Sequence, residues 1–277
     1  MYKGIDVSEH NGRIDWEKVK PQIDFAMLRA GYGRGHIDEY FRRNATACEK
    51  YGIPYGVYWF SYAFDTDLAF EEANHVCNLI KDYKPTMPIC FDYEYESYNW
   101  GKKQYAMLDY DDVAAIADTF LDHVESRGYY AMVYTNMDWY NNCFYKLKNR
   151  YDTWLAFWGT EEPKRKYGIH QYSSTGRIAG IDGNVDLNKT EYNYPSIIAN
   201  MNIQHEVSKL NVNEANIRDI VANLTSDFWE TYMDIAYRYG KGYYGEGAEA
   251  LSLIRSEGYD SDLVRAIVGV MRKGRKL

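Results

Sequence analysis

Three carboxylates follow an apolar run on alternate residues in the first half of the chain. Pro88 to Phe91 is apolar, and Asp92, Glu94 and Glu96 come next. Alternation by two is the period of a β-strand, so Asp92 and Glu94 are expected to project from one face, about 7 Å apart. Neighbouring carboxylates repel each other, and one of them is then held protonated, which suits acid catalysis. The competing interpretation is a strand end that leads into a solvated acidic loop.

The elements that must position these groups alternate between strand and helix. Alternating β and α segments predict a parallel sheet, and eight strands predict a closed barrel. All eight lie within roughly 190 residues, against about 250 in a usual barrel of this type, so some helices after the fifth strand must be missing. The predicted helices include Tyr40–Tyr51, Leu68–Tyr83 and Tyr110–Arg127. The predicted strands are Tyr2–Val7, Phe25–Gly31, Tyr55–Tyr62, the acidic run from Pro88, Tyr129–Thr135, Trp154–Trp158, Gly168–Tyr172 and Asn184–Asn188.

Polar side chains occur at or near the ends of several predicted strands. Active sites of β/α barrels lie at the carboxyl ends of the strands, so these side chains are expected to meet at one rim. Four carboxylates that converge there are difficult to explain as helix caps and solvated loops. The strand-end residues are Asp6, Tyr62, Asp92, Glu94, Gln171 and Asp186.

Composition and charge narrow the classes of ligand. The chain has 29 Tyr and 7 Trp among 277 residues, and these side chains combine an apolar ring with a polar edge, as sugar binding requires. The formal charge of −8 argues against nucleic acid as the main partner. With no apolar run of about 18 residues, we expect no membrane insertion. We expect four reduced core thiols and no cofactor.

Several motifs, in order over about residues 2–190, together resemble glycoside hydrolase family 25, the lysozyme-like muramidases of phages, bacteria and fungi. The motifs that carry the resemblance are Gly4-Ile-Asp-Val-Ser-Glu-His-Asn-Gly12, Arg29-Ala-Gly-Tyr-Gly33, Gly52-Ile-Pro-Tyr-Gly-Val-Tyr58, Ser61-Tyr-Ala63, Phe91-Asp-Tyr-Glu94, Tyr172-Ser-Ser-Thr-Gly176 and Gly183-Asn-Val-Asp-Leu-Asn188. One departure is Trp59-Phe60, where family members often carry a more polar pair.

The resemblance implies an irregular TIM-like β/α barrel with eight strands and fewer helices. It implies cleavage of the β-1,4 bond between N-acetylmuramic acid and N-acetylglucosamine in bacterial peptidoglycan, with no metal. The general acid would be Glu94, and Asp92, Asp6 and Asp186 would complete the carboxylate set. The residues expected to bind substrate are Tyr62, Tyr134, Trp154 and Gln171.

Two stereochemical routes and two other functions stay open at this stage. We favour attack by the substrate's own acetamido group with Asp92 orienting it; the alternative is water attack with inversion, with Asp6 or Asp186 as base. The other functions are cleavage of another aminosugar polymer such as chitin, and non-catalytic wall binding. A metal hydrolase built on Asp6, His10, Asp92 and His170 is disfavoured because no His pair has ligand spacing. Trp154 and Trp158 each fit sugar stacking or plain core.

The domain prediction is a catalytic barrel over residues 1–190, a connector over 191–212 and a small all-α C-terminal domain over 213–277. The segment from Gly245 to Val264 weakly resembles the cell-wall-binding repeats of some phage lysozymes, and a helical cap or an oligomerisation element is the alternative. The oligomeric state stays open. The start of the sequence has no signal-peptide pattern, so we expect cytoplasmic synthesis and holin-type release of a phage endolysin to the wall.

Overall fold

The computed structural model describes residues 1–147, 150–159 and 161–209, together with positions 232, 235, 236, 264, 267 and 268. The chain divides into two compact units, Met1–Ile198 and Ala199–Leu277. The predicted C-terminal domain, including the repeat-like segment Gly245 to Val264, lies outside the described residues apart from those six positions.

The first unit is a closed β-barrel with helices around it. Eight strands form the ring in the order β1-β2-β4-β5-β6-β7-β8-β9, and β9 pairs with β1 to close it. The short strand β3 forms an antiparallel hairpin with β2. The strands among the described residues are β1 (Tyr2–Val7), β2 (Phe25–Tyr32), β3 (His36–Ile37), β4 (Tyr55–Phe60), β5 (Ile89–Asp92), β6 (Ala131–Asn136), β7 (Asp152–Ala156), β8 (Ile169–Gly176) and β9 (Val185–Thr190).

The helices lie mainly in the first two thirds of the ring, as the shortage of helices predicted. Among the described residues, no α-helix occurs between β7 and β9. No described helix is long and apolar enough to cross a membrane. The α-helices are α1 (Trp16–Val19), α2 (Phe41–Tyr51), α3 (Thr66–Ile80), α4 (Tyr95–Gln104), α5 (Tyr110–Ser126), α6 (Met137–Asn142) and α7 (Tyr194–Lys209).

The last strand corrects the prediction of an all-parallel sheet. β9 runs antiparallel to both β8 and β1, whereas the other neighbouring strands of the ring are parallel. Only eight residues separate Gly176 from Val185. A parallel crossover needs a dozen residues or more, so a hairpin return is the connection that this length allows.

Strand alternation sorts the side chains between the barrel interior and the helix layer. On β5, Ile89 and Phe91 belong to the cluster that packs against the helices, whereas Cys90 belongs to the interior cluster. Asp92 is two residues beyond Cys90, so it shares the interior face at the carboxyl end of the strand. On β6, Tyr134 follows Met132 in the same way. The polar rim is therefore the top layer of the barrel interior.

Helix α7 occupies most of the stretch predicted as a connector. Its first turn belongs to the barrel unit, because Tyr194 and Ile198 are buried in the interior cluster. The Tyr194 hydroxyl donates a hydrogen bond of 2.8 Å to Asp152, which also accepts 2.8 Å from Tyr130. Two Tyr hydroxyls therefore donate to one carboxylate at the start of β7, and the bond from Tyr194 holds the first turn of α7 against the strand.

Candidate active site at the barrel rim

Asp6 and Asp186 form a carboxylate pair across the strands that close the barrel. They lie directly opposite each other in the β1–β9 register, and this antiparallel pairing puts the start of β9 at the same rim as the end of β1. Burial, followed by the charge of Asp186, raises the pKa of Asp6 to about 7. Burial also raises the pKa of Asp186, and its hydrogen bond with Asp6 opposes the shift, so the two carboxyls share a proton and titrate together.

Two side-chain amides hold this pair in place. Asn188 and Gln171 donate hydrogen bonds of 2.7 Å and 2.9 Å to the same Asp6 oxygen. Gln171 also donates to Asp186 at 3.2 Å, while its carbonyl oxygen accepts from Tyr134 at 3.2 Å. Since Gln171 is only 2% exposed, its amide is an internal clamp. Gln171 therefore contacts both carboxylates of the pair, and its predicted contact with substrate stays a prediction.

Asp92 and Glu94 lie on the opposite side of the rim and have few partners. Asp92 is 4% exposed, and its Oδ1 atom has no hydrogen-bond partner. Burial raises its pKa well above the ordinary value, with a further contribution from the charge of Glu94, and Arg29 opposes the shift. Glu94 lies beyond the strand end, at the N-cap of α4, and its backbone N–H donates to Ser97 at 3.3 Å.

The cause of the raised Glu94 pKa differs from the expected one. Burial raises this pKa first, and the charges of Glu96 and then Asp186 add to it. The sequence argument paired Glu94 with Asp92 on one strand face and gave Glu96 no part in the site. Glu96 is in the first turn of α4, where its carboxylate accepts a hydrogen bond from the Tyr62 hydroxyl. The helix therefore adds the charge of Glu96 to Glu94, whose own charge raises the pKa of Asp92.

Tyr134 lies at the centre of the carboxylates. After burial, the charges of all four acids raise the pKa of its phenol, in the order Glu94, Asp92, Asp6 and Asp186. These four groups were predicted from the ends of three strands, and the charges of all four act on one hydroxyl. Tyr134 therefore remains a neutral hydrogen-bond donor at neutral pH.

Tyr58 is a site residue that the sequence argument did not single out. It belongs to β4, and the charges of Asp6 and Asp92 both contribute to a pKa well above that of an ordinary tyrosine, after burial. Its ring meets Trp154 edge to face at 5.7 Å. The signal that could have identified Tyr58 is strand alternation. It lies in the motif Gly52–Tyr58 that was already noted, and it packs against the interior cluster of the barrel.

The two candidate sugar-stacking tryptophans have different environments. Trp154 is 1% exposed, and its indole N–H donates to Asn188 at 2.7 Å. It packs in the interior cluster of the barrel, and its predicted contact with substrate stays a prediction. Trp158 lies past the end of β7, is 58% exposed and donates to Gln171 at 3.1 Å. Of the two rings, Trp158 is the one open to a sugar.

The histidines of the disfavoured metal site have protein partners. His170 contacts the backbone carbonyl of Phe157 at 2.7 Å, and His10 lies 3.4 Å from Arg29. In the part of the chain that the structure describes, no cluster of three or more His, Cys, Asp or Glu side chains is arranged to hold a metal ion. The donor set at the rim is therefore one of acids, amides and phenols, which suits proton transfer.

Comparison with known proteins agrees with this arrangement. The model of the family "Glycosyl hydrolases family 25" matches residues 5–181, which is more than half of the chain. The chain belongs to glycosyl hydrolase family 25. It is a glycoside hydrolase of lysozyme type, on the irregular barrel that the motifs implied.

Individual relatives of this family 25 enzyme are distant in sequence. Lysozyme M1 of Streptomyces globisporus is 29% identical over 199 residues, which cover 68% of this chain and 67% of that protein. The autolysin LytC of Streptococcus pneumoniae, solved with a synthetic peptidoglycan ligand, is 29% identical with a TM-score of 0.57, over 68% of this chain and 46% of that one. The CTP1L endolysin shares the fold at 23% identity, with a TM-score of 0.61 over 72% of this chain and 69% of that one.

Proposed function

We propose that this family 25 enzyme hydrolyses bacterial peptidoglycan at the β-1,4 bond between N-acetylmuramic acid and N-acetylglucosamine. The observation that carries the proposal is the set of four buried or half-buried carboxylates with raised pKa values around Tyr134. Glycosidic cleavage needs a proton for the leaving oxygen and stabilisation of a cationic sugar, and such a set supplies both.

Glu94 acts as the general acid in this proposal. Its raised pKa favours the protonated form that a general acid needs, and its half-buried position leaves a path to the leaving oxygen. The proton passes from Glu94 to the glycosidic oxygen as the bond to the muramic acid C1 breaks. The resulting Glu94 carboxylate then accepts a proton from the water that completes hydrolysis.

Asp92 orients the acetamido group of the same sugar. The acetamido carbonyl oxygen attacks C1, and the amide N–H donates to an Asp92 oxygen. Two features support this role: Oδ1 of Asp92 is buried without a partner, and the burial that raises its pKa makes its charge costly. Positive charge that develops on the acetamido group favours the ionised carboxylate, so the interaction strengthens in the transition state.

An inverting route with Asp6 or Asp186 as base receives less support. Asp6 accepts two amide hydrogen bonds and Asp186 accepts one from Gln171, so both carboxylates are already engaged with protein groups and are poorly arranged to activate water. Proton NMR of the first anomer formed separates the two routes. Substrate assistance gives the retained β-anomer, and an initial α-anomer would rule it out.

Product analysis tests the proposed reaction. Purified peptidoglycan is digested with the wild type and with Glu94→Gln, and the new reducing ends are identified. We expect reducing muramic acid with the wild type and a loss of about 10²–10⁴-fold in rate for the variant. Reducing glucosamine would contradict the bond assignment, preferred cleavage of chitin would favour the other aminosugar polymer, and equal activity of the variant would refute the role of Glu94.

The biological setting and the C-terminal segment extend the proposal. The resemblance of the motifs to phage muramidases supports an endolysin that reaches the wall after holin-type release. Co-expression with and without a holin in a bacterial host tests this setting, since an endolysin lyses the host only when the holin is present. Residues 213–277 are proposed to bind the wall, and a wall pull-down that compares the full chain with a chain ending at Lys209 tests that role.

A further inference from the structure

A cavity of about 960 Å³ lies along the Glu96 side of the rim. This volume is near the upper end for pockets that hold a small ligand or a short peptide. Aromatic side chains line it, with Tyr62 meeting Trp100 edge to face at 6.2 Å, and Tyr32 also belongs to the lining. Tyr62 is bonded to Glu96, whose charge raises the pKa of Glu94, so the cavity adjoins the proposed general acid.

Charges of both signs distinguish this cavity from a sugar-binding groove. Arg34 and Lys103 are exposed at its lining, and Glu96 contributes an acid. Sugars whose lactyl group carries a peptide have no free charge of their own, so two cations and an acid would gain little from them. A ligand with carboxylates and an amine would match a lining that bears charges of both signs.

Glu72 adds a buried carboxylate with one oxygen that lacks a partner. It lies on α3 in the lining of the cavity and is 1% exposed. Its Oε1 atom accepts a hydrogen bond of 3.0 Å from the Tyr62 backbone, whereas its Oε2 atom has no partner. Burial raises the pKa of Glu72 to about 7. A buried oxygen of this kind is stabilised by an N–H donor that reaches it.

We infer that this cavity binds the peptide that peptidoglycan carries on its muramic acid, with its carboxylates toward Arg34 and Lys103 and its free amine toward Glu72. The inference rests on the proposed function, because in that reaction muramic acid is the sugar whose C1 reacts beside Glu94. The peptide is attached to the lactyl group of that same sugar, so it begins within one sugar ring of the reacting C1. The cavity is lined by Glu96, whose charge acts on Glu94, so it lies within reach of that peptide.

The charge-reversal variant R34E/K103E tests the carboxylate contacts. Both residues are exposed, so folding should be retained, and the control R13E/R42E reverses two exposed arginines at another surface cavity. Activity is measured on uncrosslinked peptidoglycan and on the same glycan after enzymatic removal of its peptides. We expect R34E/K103E to lower the ratio of kcat/KM between the two substrates at least tenfold, mainly through KM, and the control to preserve it. An unchanged ratio for R34E/K103E overturns the inference.

Binding of the free peptide gives a readout that does not depend on catalysis. An N-acetylated tetrapeptide of Ala, D-isoglutamate, Lys and D-Ala is titrated into the full chain by calorimetry, with its Lys amine either free or acetylated. We expect R34E/K103E to weaken binding of both forms at least tenfold, and E72Q to weaken only the free amine form. Absence of peptide binding to the wild type at millimolar concentration overturns the inference. If the wild type cleaves no peptidoglycan, the proposed function fails, and this titration still decides whether the cavity takes the peptide.

Discussion

The two sides of the carboxylate rim differ in how far their hydrogen bonds are satisfied. On the β1–β9 side, Asp6 accepts from two amides and shares a proton with Asp186. On the β5–α4 side, Asp92 keeps an oxygen without a partner. A satisfied buried carboxylate contributes to a rigid scaffold, whereas an unsatisfied one costs free energy until a ligand supplies the donor. The difference indicates which side holds the geometry and which side is arranged for substrate.

This contrast also assigns different consequences to similar substitutions. Removal of a group from the satisfied side leaves buried amides without acceptors, so stability should fall. Removal of charge from the unsatisfied side relieves a desolvated carboxylate, so activity should fall while stability is retained. Four predictions test this separation.

The largest effect is expected for Asp92→Asn. The variant keeps the shape of the side chain but cannot carry the negative charge that stabilises the reacting acetamido group. We expect kcat on peptidoglycan to fall about 10²–10³-fold, with a melting temperature equal to or above that of the wild type. Steady-state kinetics and calorimetry measure the two quantities, and Asp82→Asn, on an exposed residue, is the matched control. A lower melting temperature with normal kcat would reverse the assignment.

Asp6→Ala should act mainly on stability. It removes the acceptor of Gln171 and Asn188, both of which are nearly fully buried. Each buried donor left unsatisfied costs about 1–3 kcal/mol in the free energy of unfolding. Urea denaturation measures the loss, and Asp6→Asn is the control because its amide oxygen can accept both bonds. Equal stability of the alanine and asparagine variants would contradict the clamp.

The Asp6 carboxyl should also make stability depend on pH. Its pKa rises from 3.8 to about 7 on folding, so the native state binds a proton that the unfolded state has released between those values. The free energy of unfolding therefore falls as pH increases through this range, by up to about 1.4 kcal/mol per pH unit from this group. Urea titrations from pH 4 to pH 8 test the slope. Asp6→Asn should flatten it, and an unchanged slope would refute this contribution.

The smallest effect is expected for Glu96→Gln. Glu96 is the nearest charge that raises the pKa of Glu94, and a glutamine oxygen can still accept the Tyr62 hydroxyl. The Glu94 pKa should fall, so the proton needed for catalysis is lost at lower pH. The alkaline limb of the kcat profile is then expected to move to lower pH. Glu17→Gln, on an exposed residue of α1, controls for net charge, and an unmoved limb contradicts the coupling.

Much of the fold and the outline of the site follow from local sequence signals. Strand-period runs predicted the eight strands of the ring, and the terminal acids Asp6 and Asp92 identified its functional rim. The predicted ranges of helices α2, α3 and α5 lie within a few residues of the observed ones. The prediction succeeded because their apolar periodicity is strong and the N-caps of α3 and α5 are aspartates. These features depend on neighbours in the chain, which a single sequence contains.

The remaining features depend on contacts between distant segments. Helix α4 was not predicted because only Ser97 and Gly101 of its residues are buried, so it carries no apolar stripe. Without this helix, the sequence could not show that the charge of Glu96 raises the pKa of Glu94. Asn188 was quoted in a motif, but its hydrogen bond to Asp6 depends on the antiparallel register of β9. The environments of Trp154 and Trp158 differ because β7 ends at Ala156, so that Trp154 is buried within the strand and Trp158 is exposed beyond it.

Closure of the ring by β9 has a consequence for the order of folding events. The hydrogen bond from Asn188 to Asp6 joins residues 182 positions apart, so nearly the whole barrel must be assembled before it forms. Contacts of such high sequence separation carry a large loop-closure entropy and form slowly. A nascent or partly folded chain can therefore pair β1 with β2 while β9 is still unpaired, and its acids are then apart. The carboxylate set proposed for catalysis is complete only once β9 has closed the ring.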